Sequence, residues 1–189
     1  MAALDDLDEL RRTLDAARAA LPAQVDRAAD LLRAALARPG GKVLVCGNGG
    51  SAASAQHFVA ELVGRYRVDR APLAAVALVA DAVTLTAVAN DLHFAQVFAR
   101  QVSALARPGD ALVALSTSGR SPNVLAAVAA ARSLGCAVVA LTGRAADNPL
   151  AAQADAVIAV PSDVVARIQE VHALALHCLA DALEQGATP

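Results

Sequence analysis

Residues 42–62 read KVLVCGNGGSAASAQHFVAEL. After Lys42, the run VLVC is apolar without alternation, as in a strand covered on both faces. GNGG (47–50) then breaks the run, and a helical stretch follows over 51–63. A buried strand that turns on glycines into a helix is the first half of a βαβ unit. The same texture recurs at AAVAL (74–78), ALVAL (111–115), AVVAL (137–141) and AVIAV (156–160). Helical stretches separate these runs: about 81–103 with a break near Asn90, 121–134, a short one near 147–152, and a long final helix from about Asp163 to Glu184. This alternation predicts an α/β fold, a five-stranded parallel sheet between two helical layers. No linker or low-complexity segment divides the chain, so residues 1–189 are expected to form one domain, and ligands to bind outside the carboxyl ends of the strands.

Two helices precede the first strand. Leu7, Leu10, Leu14, Ala17 and Leu21 recur at steps of three and four, a heptad-like stripe on one helix expected to end at Pro22. A second helix, with Val25, Leu32 and Leu36 on its apolar face, runs to about Arg38 and is stopped by Pro39, Gly40 and Gly41. Two readings stand: the helices pack on their own domain, or the stripe pairs with copies of itself in an oligomer.

Composition excludes several function classes. Of 189 residues, 57% are hydrophobic but only 2% aromatic, so Ala, Val and Leu build the core and few rings remain for stacking bases. Net charge is -2, without any run of basic residues, which argues against nucleic acid. Lys42 is the only lysine, so a GxxxxGK[ST] phosphate loop is ruled out. Its place at the start of a buried strand argues against Schiff-base chemistry. Cys46, Cys136 and Cys178 form no CxxC pair and lie in apolar runs, so they are expected as small core residues. The acidic, amphipathic MAALDDLDELRR is unlike a secretory signal, and no apolar run is long enough for a membrane span. The expectation is a soluble, cytoplasmic protein.

Two strand ends carry polar chemistry. VLVCGNGGSAAS and LVALSTSGRSPN both lead from a strand into a helix, with backbone N–H groups suited to an anion. Ser116, Thr117, Ser118 and Ser121 place four hydroxyls within six residues, which can hold a phosphate without lysine. The blander reading is helix capping, by Ser121 before Pro122 and by Ser51. His57 and Glu61, four apart, share a helix face and suit either a metal site or an acid–base pair, although an ordinary surface pair has the same spacing. In RIQEVHALALH, Gln169, Ala173 and His177 follow one ridge, with His172 about 60° off it. His177 is flanked by leucines and is expected to face something buried. Eight residues span roughly 12 Å of helix, so Gln169 and His177 share a metal only if both side chains lean together.

GNGGSAASAQHFVAEL (47–62), AVANDLHFAQVFARQV (87–102), LSTSGRSPNV and RIQEVHALALH, in this order and spacing, resemble the phosphoheptose isomerases of the sugar-isomerase (SIS) domain superfamily. The resemblance covers nearly the whole chain. It implies a flavodoxin-like αβα sandwich, a homotetramer whose N-terminal helices (1–38) help form a central bundle, and active sites at subunit interfaces. It implies conversion of D-sedoheptulose 7-phosphate to D-glycero-D-manno-heptose 7-phosphate through an enediol, the first step towards nucleotide-activated heptose, and one zinc ion per subunit. Carried over position by position, Ser116, Thr117, Ser118 and Ser121 hold the phosphate, helped by Ser51. Asn48, Gly49, Gly50, Asn90 and Asp91 line the sugar, and Glu61 and Gln169 also touch substrate. His57, Glu61, Gln169 and His177 surround the metal, and Glu61 and His177 form the acid–base pair. The alternative is a non-catalytic relative that binds the replication initiator DnaA. In that branch the positions matching Glu61 and His177 are not kept as Glu and His.

Overall fold

All five apolar runs form strands: β1 (Val43–Gly47), β2 (Ala75–Ala77), β3 (Ala111–Ser116), β4 (Ala137–Thr142) and β5 (Ala156–Ala159). The structure, a computed structural model, describes residues 2–144 and 146–185. The strands are parallel throughout and lie in the order β2-β1-β3-β4-β5. In register, Gly47 lies opposite Leu115 and Ser116 opposite Thr142. The carboxyl ends of β1, β3 and β4 therefore finish nearly level, and their loops leave along one edge. Strand order reverses between β1 and β3, where sheets of this kind open a crevice for ligands.

Burial on both faces holds for the centre of the sheet and not for its edges. Every residue of β1 and β3 is buried, as is all of β4 after Ala137. Edge strand β2 is only three residues long and has no buried residue, while β5 alternates between buried and half-buried positions. Each edge strand has a neighbour on one side only, so it lacks the cover its composition suggested. The free edge of β5 is partly closed by Gln24, whose Oε1 accepts from Ala159 N at 3.1 Å.

The helices are α1 (Ala2–Ala17), α2 (Leu21–Leu36), α3 (Gly50–Val63), α4 (Ala82–Asp91), α5 (Ala99–Leu105), α6 (Pro122–Ser133) and α7 (Val165–Gln185). Helices α2, α3 and α7 cover one face of the sheet, and α5 and α6 the other. The first helix ends at Ala17, short of the expected Pro22. Pro22 instead sits in the first turn of α2, where a missing N–H costs nothing. Of the two fates weighed for these helices, α2 takes the first: Val25, Ala28, Ala29, Leu32 and Ala35 are buried in its own domain. The stripe on α1 is divided. Leu10 and Leu14 pack towards Val160, Ile168 and Val171, whereas Leu7 is 65% exposed. The stretch 81–103 splits into α4, a 3-10 turn at Phe94–Gln96 and α5. The short helix near 147–152 is only a 3-10 turn, Ala151–Gln153. Cys46 and Cys136 are buried as expected, but Cys178 is exposed. Burial pushes the Cys46 thiol up to about 12, so it stays protonated.

At the opposite end of the sheet Asp110 gathers three donors: Lys42 N at 3.0 Å, Lys42 Nζ at 2.7 Å and Arg107 N at 2.8 Å. Burial alone would push its carboxyl up. Lys42 and the backbone donors outweigh burial and hold it below its ordinary 3.8. A depressed folded value means stabilisation that is present above pH 3.8 and lost as pH falls through the lower folded value. Asp110→Asn should therefore lower stability at pH 7 by roughly 2–3 kcal/mol. Thermal melts from pH 7 to pH 3 should show the gap to wild type closing at the acid end.

Candidate active site

The β1–α3 turn is built for close approach. A Cβ on Gly50 would stand 2.6 Å from Gln169 Oε1, so the glycine lets the α7 side chain lie against the start of α3. The N-cap of α3 is Gly49, with no side-chain cap bond. Ser51 is buried inside the first turn, and the capping role weighed for it is not taken up. Asn48 pairs with Asn123 at the start of α6, each amide donating to the other's oxygen at 2.9 and 2.8 Å. This pair ties the loop after β1 to the loop after β3.

In the β3–α6 loop the four hydroxyls divide. Ser116 Oγ and Ser121 Oγ lie 2.9 Å apart, and Ser116 Oγ also accepts from Gly119 N at 3.1 Å. Ser121 is the N-cap of α6 with Pro122 behind it, as the spacing predicts, yet it makes no side-chain cap bond. Its hydroxyl turns to Ser116 instead, so simple capping does not explain it. Thr117 and Ser118 line a cavity of about 340 Å³ with Arg120, Arg144, Asn148 and Ser162. Gly119 has φ +65°, and a Cβ there would overlap the Asn148 carboxamide. Asn148 is itself held by donating to Thr142 Oγ1 at 2.7 Å and to Arg144 O at 3.0 Å. The loop shape thus depends on a side chain brought in from the loop that follows β4.

Where α3 and α7 lie side by side, three polar side chains converge. His57 Nε2 is 2.9 Å from His177 Nε2 and 3.4 Å from Glu61 Oε1. One donor atom from each of the three falls within 4.8 Å of the others. The two imidazoles meet edge to face, with centroids 5.1 Å apart. Two imidazole nitrogens and a carboxylate, with one side open because His57 is exposed, match the donor set of a catalytic zinc site that keeps a free position. The residues present therefore fit the metal expected.

Of the four expected metal ligands, Gln169 stands apart. Its carboxamide lies against Gly50, seven residues or about 10 Å of helix before His57, so the axial distance foreseen from the sequence is not overcome within this chain. His172 is off the ridge as predicted: its Nε2 lies 3.1 Å from Thr142 O, and burial lowers it to about 4. It is a neutral core histidine. Asn90 and Asp91 are not brought to the cavity. They sit exposed at the end of α4, where Asn90 Nδ2 donates to Asp91 Oδ1 at 2.7 Å. Asn123, Asn148 and Tyr66, whose ring lies 5.4 Å from that of His177 and nearly parallel to it, were not singled out from the sequence. An Asn-Pro step at 148–149 is a turn signal. The tertiary contacts of the other two leave no local trace.

A family model described as the SIS domain matches residues 7–143. A phosphoheptose isomerase of Thiobacillus denitrificans is 54% identical over 174 residues, 90% of this chain and 87% of the relative. The chain belongs to the phosphoheptose isomerase family. Solved phosphoheptose isomerases agree in fold. One from Neisseria gonorrhoeae is 44% identical with a TM-score of 0.90, covering 97% of each chain. Another, from Francisella tularensis, is 42% identical with a TM-score of 0.88, covering 98% of this chain and all of the other. The initiator-binding alternative gains no support from these relatives.

The loop geometry predicts that added inorganic phosphate raises the melting temperature of the wild type. Gly119→Ala, which forces Asn148 out of place and strains the loop by roughly 1–3 kcal/mol, should lose most of that rise. Thermal shift in a phosphate titration measures both.

Proposed function

We propose that this chain is an aldose–ketose isomerase that converts D-sedoheptulose 7-phosphate to D-glycero-D-manno-heptose 7-phosphate, the first step towards nucleotide-activated heptose. The observation that carries the reading is the convergence of His57, Glu61 and His177 on adjacent helices, in a chain of this family. A regulator that only binds another protein has no use for that triad.

The substrate's two ends suit the two halves of the site. The phosphate on C7 takes the hydroxyls and N–H groups of residues 116–121, with help from Ser51. This remote binding energy orients the reacting end. Asn48, Gly49, Gly50 and Gln169 line the sugar. Glu61 takes a proton from C1 and returns it to C2 through an enediol, while the O1 proton passes to O2. His177 serves that oxygen-to-oxygen transfer, or the opening of the sugar ring. No net oxidation occurs, because the carbonyl leaves C2 as it forms at C1. His57, Glu61 and His177 are the residues that would hold a zinc ion, which would supply positive charge for polarising the carbonyl.

We also infer a homo-oligomer, a tetramer with sites completed at its interfaces. Support comes from apolar surface left uncovered. Helix α4 has no buried residue, Val83 on it is 76% exposed, and Phe94 just beyond is 59% exposed. Asn90 and Asp91 sit on this same helix, so covering it with another copy gives them a route to a neighbouring site. Gln169 joins the metal set only in that assembly. Among the described residues no helix is long and apolar enough to cross a membrane. The reading carries with it a cytoplasmic enzyme that handles a small phosphosugar.

Metal-loaded wild type should isomerise sedoheptulose 7-phosphate, and Glu61→Gln and His177→Gln should each lose about 10²–10⁴-fold in kcat while keeping the wild-type circular dichroism. No turnover by the wild type would sink the assignment, and an active Glu61→Gln would remove Glu61 as the base. Light scattering should return four times the 19.1 kDa chain mass. A monomer would contradict interface-built sites.

A further inference from the structure

The segment between α3 and β2 is held in an unusual way. Glu184, near the end of α7, is buried, and its carboxylate accepts three consecutive backbone N–H groups: Tyr66 at 2.6 Å, Arg67 at 2.9 Å and Val68 at 3.2 Å. Arg70 Nε stands 3.5 Å from the same carboxylate, with both side chains almost fully buried. The Arg70 guanidinium reaches the other way, donating to Glu61 O at 2.7 Å and to Leu62 O at 2.9 Å. One buried ion pair thus fastens the segment to α7 and to the last turns of α3, the helix that carries His57 and Glu61.

The clamped segment bears Tyr66. Its ring lies parallel to that of His177 within 12°, with centroids 5.4 Å apart. His177 and His57 in turn meet edge to face. His177 and Glu184 are seven residues apart on α7, hence on one face of the helix, so clamp and clamped imidazole share a rigid base. We propose that Tyr66 is a positioning residue for His177, and that Glu184 and Arg70 form the clamp that holds Tyr66 in place. An imidazole on a helix has free rotation about two side-chain bonds. The tyrosine face blocks one side of that rotation and keeps Nε2 aimed at His57 and Glu61. An acid without partners would lose its charge when buried. Here the three N–H donors and Arg70 outweigh burial and hold the Glu184 carboxyl below its ordinary range, so the clamp stays ionised at neutral pH.

The inference rests on His177 being a site residue, but its test does not need the sugar. Zinc affinity of the folded protein, measured by competition with a chromophoric chelator, should fall about 10-fold in Tyr66→Ala and stay within about twofold in Tyr66→Phe, which keeps the ring. In the metal-free protein, the His177 ring-proton resonances should move in Tyr66→Ala and Glu184→Gln and hold in Tyr66→Phe. With sedoheptulose 7-phosphate, Tyr66→Ala should lower kcat about 10-fold with KM within about twofold, as expected of an outer group acting through a ligand. A folded Tyr66→Ala with wild-type zinc affinity and unmoved His177 resonances overturns the proposal. So does a Tyr66→Phe as impaired as the alanine variant. If Tyr66→Ala does not fold, Tyr66→Leu takes its place, and ring-to-ring NOEs between Tyr66 and His177 in the wild type decide: their presence supports the stack and their absence overturns it. A wild type that shows these NOEs and binds zinc, yet leaves the sugar untouched, refutes the proposed reaction and leaves the positioning role standing.

Discussion

The pairing of β1 with β3 runs from Val43 opposite Ala111 to Gly47 opposite Leu115, and it sets where both polar loops leave the sheet. Parallel strands can only be joined by crossovers, so these neighbours deliver two separate helix starts, α3 and α6, side by side at one edge. A register slip of one residue would exchange the two faces of either strand, and because both faces are packed under helices every side chain would meet the wrong neighbours. The position of Asn48 against Asn123 therefore follows from packing of Val, Leu and Ala several residues away. Chemistry at the edge inherits its precision from an apolar core with few aromatic rings and no unusual bonds.

Helix α7 does a second kind of work. It is the longest helix, and it lies against α3 so that Gln169 meets Gly50 near one end while His177 meets His57 further along. Two helices running side by side in this way present matched rows of side chains. Polar groups two turns apart on one helix then find partners two turns apart on the other. The triad of His57, Glu61 and His177 and the Gln169 contact are two rungs of the same ladder, and Glu184 makes a third beyond the triad.

How much of this was legible beforehand depends on the range of the interaction. The five strands stood out because continuous apolar runs bounded by glycine and polar loops have few other structural outcomes, and only the exposure of β2 and β5 needed knowledge of which strands lie at the edge. The boundary between α1 and α2 is hidden in the sequence because the leucine stripe continues through Leu21 and because proline stops a helix only beyond its first turn. His57 and Glu61 stand out as a pair four residues apart, but the leucine flanks of His177 point to a buried environment, whereas it is half-buried against the exposed His57; only the family resemblance places it in the site. Tyr66 and Glu184 left no signal, since they meet across 118 residues and neither lies at a telling interval from a site residue in the sequence. Asn48 and Asn123 are 75 residues apart, and their pairing could not be read from either motif alone. Gln169 is the instructive intermediate: helix geometry raised the difficulty with its ligand role, and the folded chain keeps it.

Lysine chemistry would affect this molecule in a lopsided way. The single lysine, Lys42, stands at the start of β1 with its ammonium engaged by Asp110, while the site loops leave from the far end of the same strand, about 16 Å away. An acylating reagent or an acetylating enzyme finds no lysine at the site, where the cations are the arginines 120 and 144 that such chemistry passes over. What it can reach is the ion pair that closes the bottom of the sheet. Covalent removal of lysine charge would therefore register as loss of folding stability, with the isomerase machinery untouched in every molecule that remained folded.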